Sequence, residues 1–451
     1  MKKFLHLVPF LFFFVLLSSA TAPLISQNGF KLPDFKKKDR FSFKFINNLV
    51  LVPVELNGKE LTFLLDTGVN YTLLFSLTEN DSLEINNVTP VSIKGFGGGG
   101  DIQALKSRNN KMKIGDAVDK NHMVYVIFDK SINFSPRMGL PIHGVIGYDF
   151  FKDFIVKTDY DSRLLTIYDP QYYKQSSCRN CESFDIEFRK RKPYITNKVQ
   201  SRGQEYEVVL LVDSGASDAV WLFDESIGVK EDPPNYFKDF LGLGLSGSVY
   251  GKRSKLDEVR LGKFKLENVN VSYPDSSAVE DVKLLLNRDG SLGADILKRF
   301  TVTMNYRERQ MILRKNRFFG DPFHYNMAGI IVEHDGMVPV TNVKGGTGRS
   351  FRFGTDRSTA MNAVTIDVAP VLTFFLAPKY IIAEIRSGSP AAEAGLLKGD
   401  EVVSINGKPT YEYELPDITE LFSSRSGKKI LVEVNRDGKI SKHRFVLKEV
   451  L

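Results

Sequence analysis

Three motifs occur twice in this chain, in one order and at nearly one spacing, and that duplication limits the folds open to it. "FLLDTGVN" (63–70) returns as "LLVDSGAS" (210–217), which sets Asp66 and Asp213 147 residues apart. "GFGGGG" (95–100) returns as "GLGLSG" (242–247), so Gly95, Gly97 and Gly100 meet Gly242, Gly244 and Gly247 at the same spacing. "GVIGYDFFKDF" (144–154) returns as "GSLGADILKRF" (290–300), with Gly147 and Gly293 146 apart. Chance supplies one such match readily and three in register poorly. A repeated unit of about 130–150 residues has the size of an ordinary domain.

Each copy reads mostly as strand. "NLVLVPVELNGKELTFLLD" (48–66) is two alternating apolar runs around Asn57-Gly58, a dipeptide suited to a two-residue hairpin turn. "KPYITNKVQSRGQEYEVVLLVD" (192–213) repeats it, turning near Arg202-Gly203. "RLLTIYD" (163–169) and "RQMILRK" (309–315) are later strands with alternating faces. A short helix is expected to start at Asp149 and at Asp295, each carboxylate capping free amides. Both glycine stretches spell G-x-G-x-x-G, which signals dinucleotide binding only between a strand and a helix. No helical apolar stripe follows Gly100 or Gly247, so they read as hairpins whose backbone can approach a ligand. Gly95, Phe96, Gly97 and Gly98 form the first such flap; Gly242 and Gly244 belong to the second.

A carboxylate at the end of a core strand is costly unless something compensates it. If the copies pack about a pseudo-twofold axis, Asp66 and Asp213 meet at its centre. Two carboxylates that close share one proton, because ionising both is expensive. The ionised one can take a proton from a water between them while the protonated one polarises a peptide carbonyl. Thr67 and Ser214 supply hydroxyls to tie the two loops together, and Gly68 and Gly215 leave room for backbone amides to approach.

Hydrophobic-hydrophobic-Asp-Thr/Ser-Gly, a glycine-rich flap and hydrophobic-Gly before a short helix, all in duplicate, resemble the aspartic peptidases. The short flaps are most similar to retropepsin-like enzymes, with both halves in one chain as in pepsin-like ones. The resemblance covers roughly residues 41–320 and implies a mainly β fold of two pseudo-twofold-related lobes of the acid-protease β-barrel type. It implies that Asp66 and Asp213 are the catalytic pair, supported by Thr67, Gly68, Ser214 and Gly215, with no cofactor and no metal. The flap tyrosine of pepsin-like enzymes has no clear counterpart, Phe96 being the nearest aromatic. Val69 and Ala216 stand where acid-working members carry a hydroxyl. Without that hydrogen bond the pair should keep its proton to higher pH, giving activity at about pH 5–7.

After "ILRKNRFFGDP" the repeat stops. "SGSPAAEAGLLKGDEVVSINGKPT" (387–410) places a capping Ser389 before Pro390, Gly395 at a helix end and Asn406-Gly407 in a tight turn. "ELPDITELFSSRSG" is a second helix with Ile418, Leu421 and Phe422 on one face, and a closing hairpin turns at Asp437-Gly438. This third resembles a PDZ domain of the bacterial exported-protease type. The resemblance implies that Met327, Ala328, Gly329 and Ile330 hold the carboxylate of a peptide C-terminus. Residues 341–365 read as an insertion.

The expected organisation is a signal peptide at 1–20, a first lobe at 41–172, a linker at 173–183, a second lobe at 184–320 and the PDZ domain at 322–451. Lys2 and Lys3, the apolar run Phe4 to Leu17 and "SSATA" form the leader, cut after Ala20 or Ala22. The run is short for a membrane span, so membrane contact is expected only through an uncleaved leader. No cysteine follows it to carry a lipid. Cys178 and Cys181 read as a local disulfide in an oxidising compartment, with a free thiol pair as the alternative. The net charge of +7 comes with short basic runs, "KKK" (36–38) and "RKRK" (189–192), read as solvated loops rather than a nucleic-acid surface. These features together predict an exported aspartic endopeptidase of periplasm or cell surface, acting on proteins or peptides. The alternative is an inactive adaptor that binds peptides in the cleft and PDZ groove.

Overall fold

The computed structural model describes residues 29–77, 83–94, 101–129, 132–223, 233, 235–245, 247–276, 288–344, 350–353, 364–367 and 371–451. The leader, the flap residues Gly95, Phe96, Gly97 and Gly98, and much of 341–365 lie outside the described residues.

The duplication becomes two eight-stranded sheets with one strand order. In the first, Lys44–Ile46, Leu49–Leu56, Lys59–Leu65, Gly144–Ile146, Thr72–Leu74, Ala117–Ile127, Asp101–Ile114 and Thr89–Lys94 lie side by side. In the second, the order is Glu187–Arg189, Lys192–Ser201, Gln204–Asp213, Gly290–Gly293, Val220–Leu222, Phe264–Pro274, Gly247–Leu261 and Phe237–Gly244. The hairpins turn where the dipeptides predict. Asn57 and Gly58 have φ of 48° and 87°, and Arg202 and Gly203 have 55° and 73°, the left-handed pair that a two-residue turn needs between right-twisted strands. Alternation sets the faces: along Lys59–Leu65, Leu61, Phe63 and Leu65 are buried.

A six-stranded sheet joins the halves. At its centre Ile155–Asp159 pairs antiparallel with its repeat-mate Phe300–Asn305, Ile155 opposite Asn305 and Asp159 opposite Thr301. The outer strands include Lys38–Ser42 at one edge and Cys181–Asp185 at the other. Cys181–Asp185 therefore starts inside the stretch read as linker. Cys181, its first residue, forms a disulfide with Cys178, with Cα atoms 5.4 Å apart.

The short helices start one residue earlier than expected, at Tyr148–Phe151 and Ala294–Leu297. Neither Asp149 nor Asp295 caps. Gly147 and Gly293 hold the cap positions, and neither helix has a side-chain cap. Both aspartates sit in the first turn instead, where negative charge is favoured. Asp149 pairs with Lys152 at 2.8 Å and Asp295 with Lys298 at 2.7 Å.

The C-terminal third has its own core of Ile330, Val332, Ile382, Val402, Ile418, Val432 and neighbours. Ser389 Oγ accepts from the Ala392 amide at 3.3 Å with Pro390 at the first helical position. The helix Leu415–Phe422 buries Leu415, Ile418 and Phe422. The strands Ile330–Lys344 and Val371–Ile385 form a long hairpin, and Ile330–Lys344 is an edge of the sheet. Among the described residues no helix is long and apolar enough to cross a membrane.

Candidate functional site

Asp66 follows the strand Lys59–Leu65, and Asp213 ends the strand Gln204–Asp213. Each is held by the parallel strand beside it. The Asp66 amide donates to Ile146 O at 2.8 Å, and Asp213 stands opposite Gly293. The loops that follow are locked to each other by a reciprocal exchange. Thr67 Oγ1 donates to Val212 O (2.6 Å) and accepts from the Ser214 amide (3.0 Å). Ser214 Oγ donates to Leu65 O (3.0 Å) and accepts from the Thr67 amide (3.0 Å). Both hydroxyls are buried, so each bond is made where an unmade one would be costly.

The lock brings the two carboxylates together across the axis. The Gly68 amide donates to Asp66 Oδ1 at 2.6 Å, and the Gly215 amide to Asp213 Oδ1 at 3.2 Å. A methyl on Gly68 would lie 2.8 Å from Asp213 Oδ1, and one on Gly215 would overlap the Asp66 carboxylate. Only glycine fits at either place. Burial, and next the charge of Asp213, push the Asp66 carboxyl up to about 8, against the pull of the Gly68 amide and of Lys192. The pair is thus built to hold one proton at neutral pH.

The carboxylates line a cavity of about 2110 Å³ that runs under the second flap and on to the PDZ residues Ile330, Ile331 and Leu415. Gly242 and Gly244 lie on the flap strand Phe237–Gly244, which pairs with Gly247–Leu261 and closes at Gly244 and Gly247. Beneath it sits Trp221, the only tryptophan in the chain, 3.9 Å from where a Gly242 methyl would be. Its Nε1 donates to Asp218 Oδ2 (2.8 Å), which also accepts from Arg253 and Ser272. Among the described residues no group of three or more His, Cys, Asp or Glu could hold a metal ion.

Met327, Ala328, Gly329 and Ile330 lead into the edge strand, but their amides are not all open. Asn326 Oδ1 accepts from the Ala328 (3.0 Å) and Gly329 (2.8 Å) amides, and Phe422 O accepts from Met327 (3.0 Å). Asn326 Nδ2 donates to Ile330 O at 2.7 Å. The side chain of Asn326 thus already binds two of the amides that the resemblance assigns to a peptide carboxylate.

Three groups went unnoticed in the sequence. Lys192 ends the run read as solvated loop, yet it lines the cavity within electrostatic reach of both aspartates. Arg288 lines it too, only 7% exposed. Arg137, from the first lobe, bonds Glu333 and Glu384 of the C-terminal third, each at 3.3 Å, and stacks over Phe240 of the flap strand at 4.1 Å. Pairing the two copies by their strand registers would have exposed the first two.

Comparison with known families matches an aspartyl protease model at residues 52–150 and 198–296, and a PDZ domain model at residues 381–436. Two curated proteins, from Brucella suis biovar 1 and Brucella melitensis biotype 1, are each named as a candidate zinc metalloprotease. Each is 42% identical over 60 residues, 13% of this chain and 15% of the relative. Synaptopodin-2 of Rattus norvegicus is 49% identical over 43 residues, 10% of this chain and 3% of that protein. The chain thus spans about 15% of the length of the Brucella relatives.

Proposed function

From a mainly β chain that carries two aspartyl-protease segments and a C-terminal PDZ domain, we propose an exported aspartic endopeptidase. The observation that carries the reading is the reciprocal Thr67–Ser214 lock that sets Asp66 against Asp213 inside one cleft. Asp66 holds the proton and Asp213 is the base. Asp213 takes a proton from a water between the carboxylates while the Asp66 proton polarises the scissile carbonyl. The water oxygen bonds to the carbonyl carbon, the C–N bond then breaks, and the leaving nitrogen receives a proton from the pair. The PDZ domain, opening onto the same cavity, guides protein substrates. The leader and the disulfide support placement in the periplasm or at the cell surface.

The test is cleavage of casein and of quenched peptides by wild type, Asp66→Asn and Asp213→Asn. Each single variant is expected to lose at least about a thousandfold in kcat/KM, and the double variant little more, because the two act as a unit. EDTA is expected to leave activity unchanged. Equal cleavage by wild type and Asp66→Asn, or none by either across pH 3–8, would favour a peptide-binding adaptor.

A further inference from the structure

The two lobes differ sharply at one pair of matched positions beside the carboxylates. Arg189 stands opposite Lys192 across its hairpin as Ile46 stands opposite Leu49 in the first lobe. Gly290 sits beside Leu210 as Gly144 sits beside Phe63, so Arg288, two residues before Gly290, matches Ile142, two before Gly144. All four side chains line the cleft. The fold therefore does not require cations here, since the first lobe builds the same corner from Leu49 and Ile142.

Neither cation makes an ion pair at contact distance, although both feel Asp213. Among the described residues, neither Lys192 nor Arg288 has a carboxylate within 4 Å, and Arg288 Nε is buried with no hydrogen-bond partner. The buried Tyr194 hydroxyl faces Arg288 and Asp213 and is no charged partner for either cation. The two cations are near enough to repel each other. Arg288 is buried and Lys192 half-buried; an unpaired cation so placed is costly, and two together more so. The carboxylate pair offsets one of them, because it carries a single negative charge while it shares a proton. Of these two cations, one is left without an offset beside the carboxylates. The turn that delivers Lys192 is itself strained: Lys190 and Arg191 both take left-handed φ, 48° and 65°, without glycine.

We propose that Lys192 and Arg288 form an anion subsite that takes a carboxylate of the substrate, on the second-lobe side of the scissile bond, while Leu49 and Ile142 make the matching side apolar. The carboxylate is either an Asp or Glu side chain or the C-terminus of the peptide. The inference rests on the peptidase reading.

The experiment compares quenched peptides identical except for Glu against Gln near the cleaved bond, and separately free-acid against amidated C-termini. Wild type is expected to favour the carboxylate in one arm by about tenfold or more in kcat/KM, the scale of a charge-assisted hydrogen-bond pair. Lys192→Leu and Arg288→Ile, which copy the first lobe, are expected to lose that preference. Lys192→Arg and Arg288→Lys keep the charge and are expected to keep it, which guards against loss of folding. Equal rates in both arms, or a preference that survives Lys192→Leu and Arg288→Ile, would overturn the subsite. Fluorescence anisotropy of the same peptides on Asp66→Asn separates the two readings. A carboxylate preference in binding to Asp66→Asn, beside a wild type that cleaves nothing, would keep the subsite and remove the peptidase. Cleavage without preference would do the reverse.

Discussion

Asp66 is a buried acid, and a proton held there bears on stability and on the proposed hydrolysis, both of which can be measured. The folded chain holds that proton to about pH 8, whereas an unperturbed carboxyl releases it at 3.8. Between those values the folded state binds more protons than the unfolded one, so wild-type stability falls as pH rises through the window. Asparagine has no proton to lose. Asp66→Asn should therefore match wild type near pH 4 and exceed it by up to about 5 kcal/mol at pH 7.5. Urea unfolding at the two pH values checks this, and an unchanged difference would mean that Asp66 is ionised in the folded chain. Under the proposed mechanism the same proton sets activity. The groups facing Asp66 are Asp213, the Gly68 amide, Lys192 and Tyr306. Hydrolysis by the pair should persist to about pH 8, beyond the range that Val69 and Ala216 alone suggest. Lys192→Leu removes a cation that favours the ionised form, so its upper limb should move to higher pH. An upper limb below about pH 5 in wild type would mean that burial does not govern the pair.

Elements that depend on local chemistry were readable from sequence, and those that depend on distant packing were not. Asn57-Gly58, Arg202-Gly203, Asn406-Gly407 and Asp437-Gly438 all turn with both φ positive, because a two-residue hairpin demands it of whichever residues stand there. Ser389 caps as its position before Pro390 implies. The repeat placed the two aspartates on matched strands. Asp149 and Asp295 misled because an acid near a helix start fits the cap and the first turn equally well, and backbone geometry chose the glycine for the cap. Lys192 misled because a basic run signals solvent, while only the neighbouring strands place its last member in the cleft. Asn326 was silent because its three bonds form only once the loop is closed. Asn326→Ala should unfold the C-terminal third more easily by about 1–3 kcal/mol, since it leaves the Ala328 and Gly329 amides without their acceptor. Asn326→Asp keeps an acceptor for both amides and should cost less. Thermal unfolding followed on the PDZ core decides the order, and equal losses would mean that the amides find other partners.

At the scale of the whole molecule, the PDZ domain is joined to both lobes rather than strung behind them. Arg137 ties it to the first lobe through Glu333 and Glu384. Arg386 stacks over Phe237 of the flap strand at 4.6 Å, with Asp239 at 4.0 Å. The segment leading into it belongs to the second lobe. Phe323 is 6% exposed in the protease core under the Arg299 guanidinium, 3.5 Å away. Tyr325 OH donates to Ser254 O (2.6 Å) and Val271 O (3.0 Å). The place of a truncation therefore matters more than its length. A chain ending at Asn326 keeps both aromatic anchors and should fold as two lobes that still cleave short peptides. A chain ending at Asp321 differs by five residues, yet it removes a buried Phe and leaves Arg299 without its ring, a loss of about 3–5 kcal/mol on the scale of core Phe deletions. Its thermal midpoint should lie several degrees below that of the longer truncation. If the two truncated chains melted together, the segment would be a passive linker. If neither were soluble, the contacts made by Arg137 and Arg386 would be part of what holds the lobes closed.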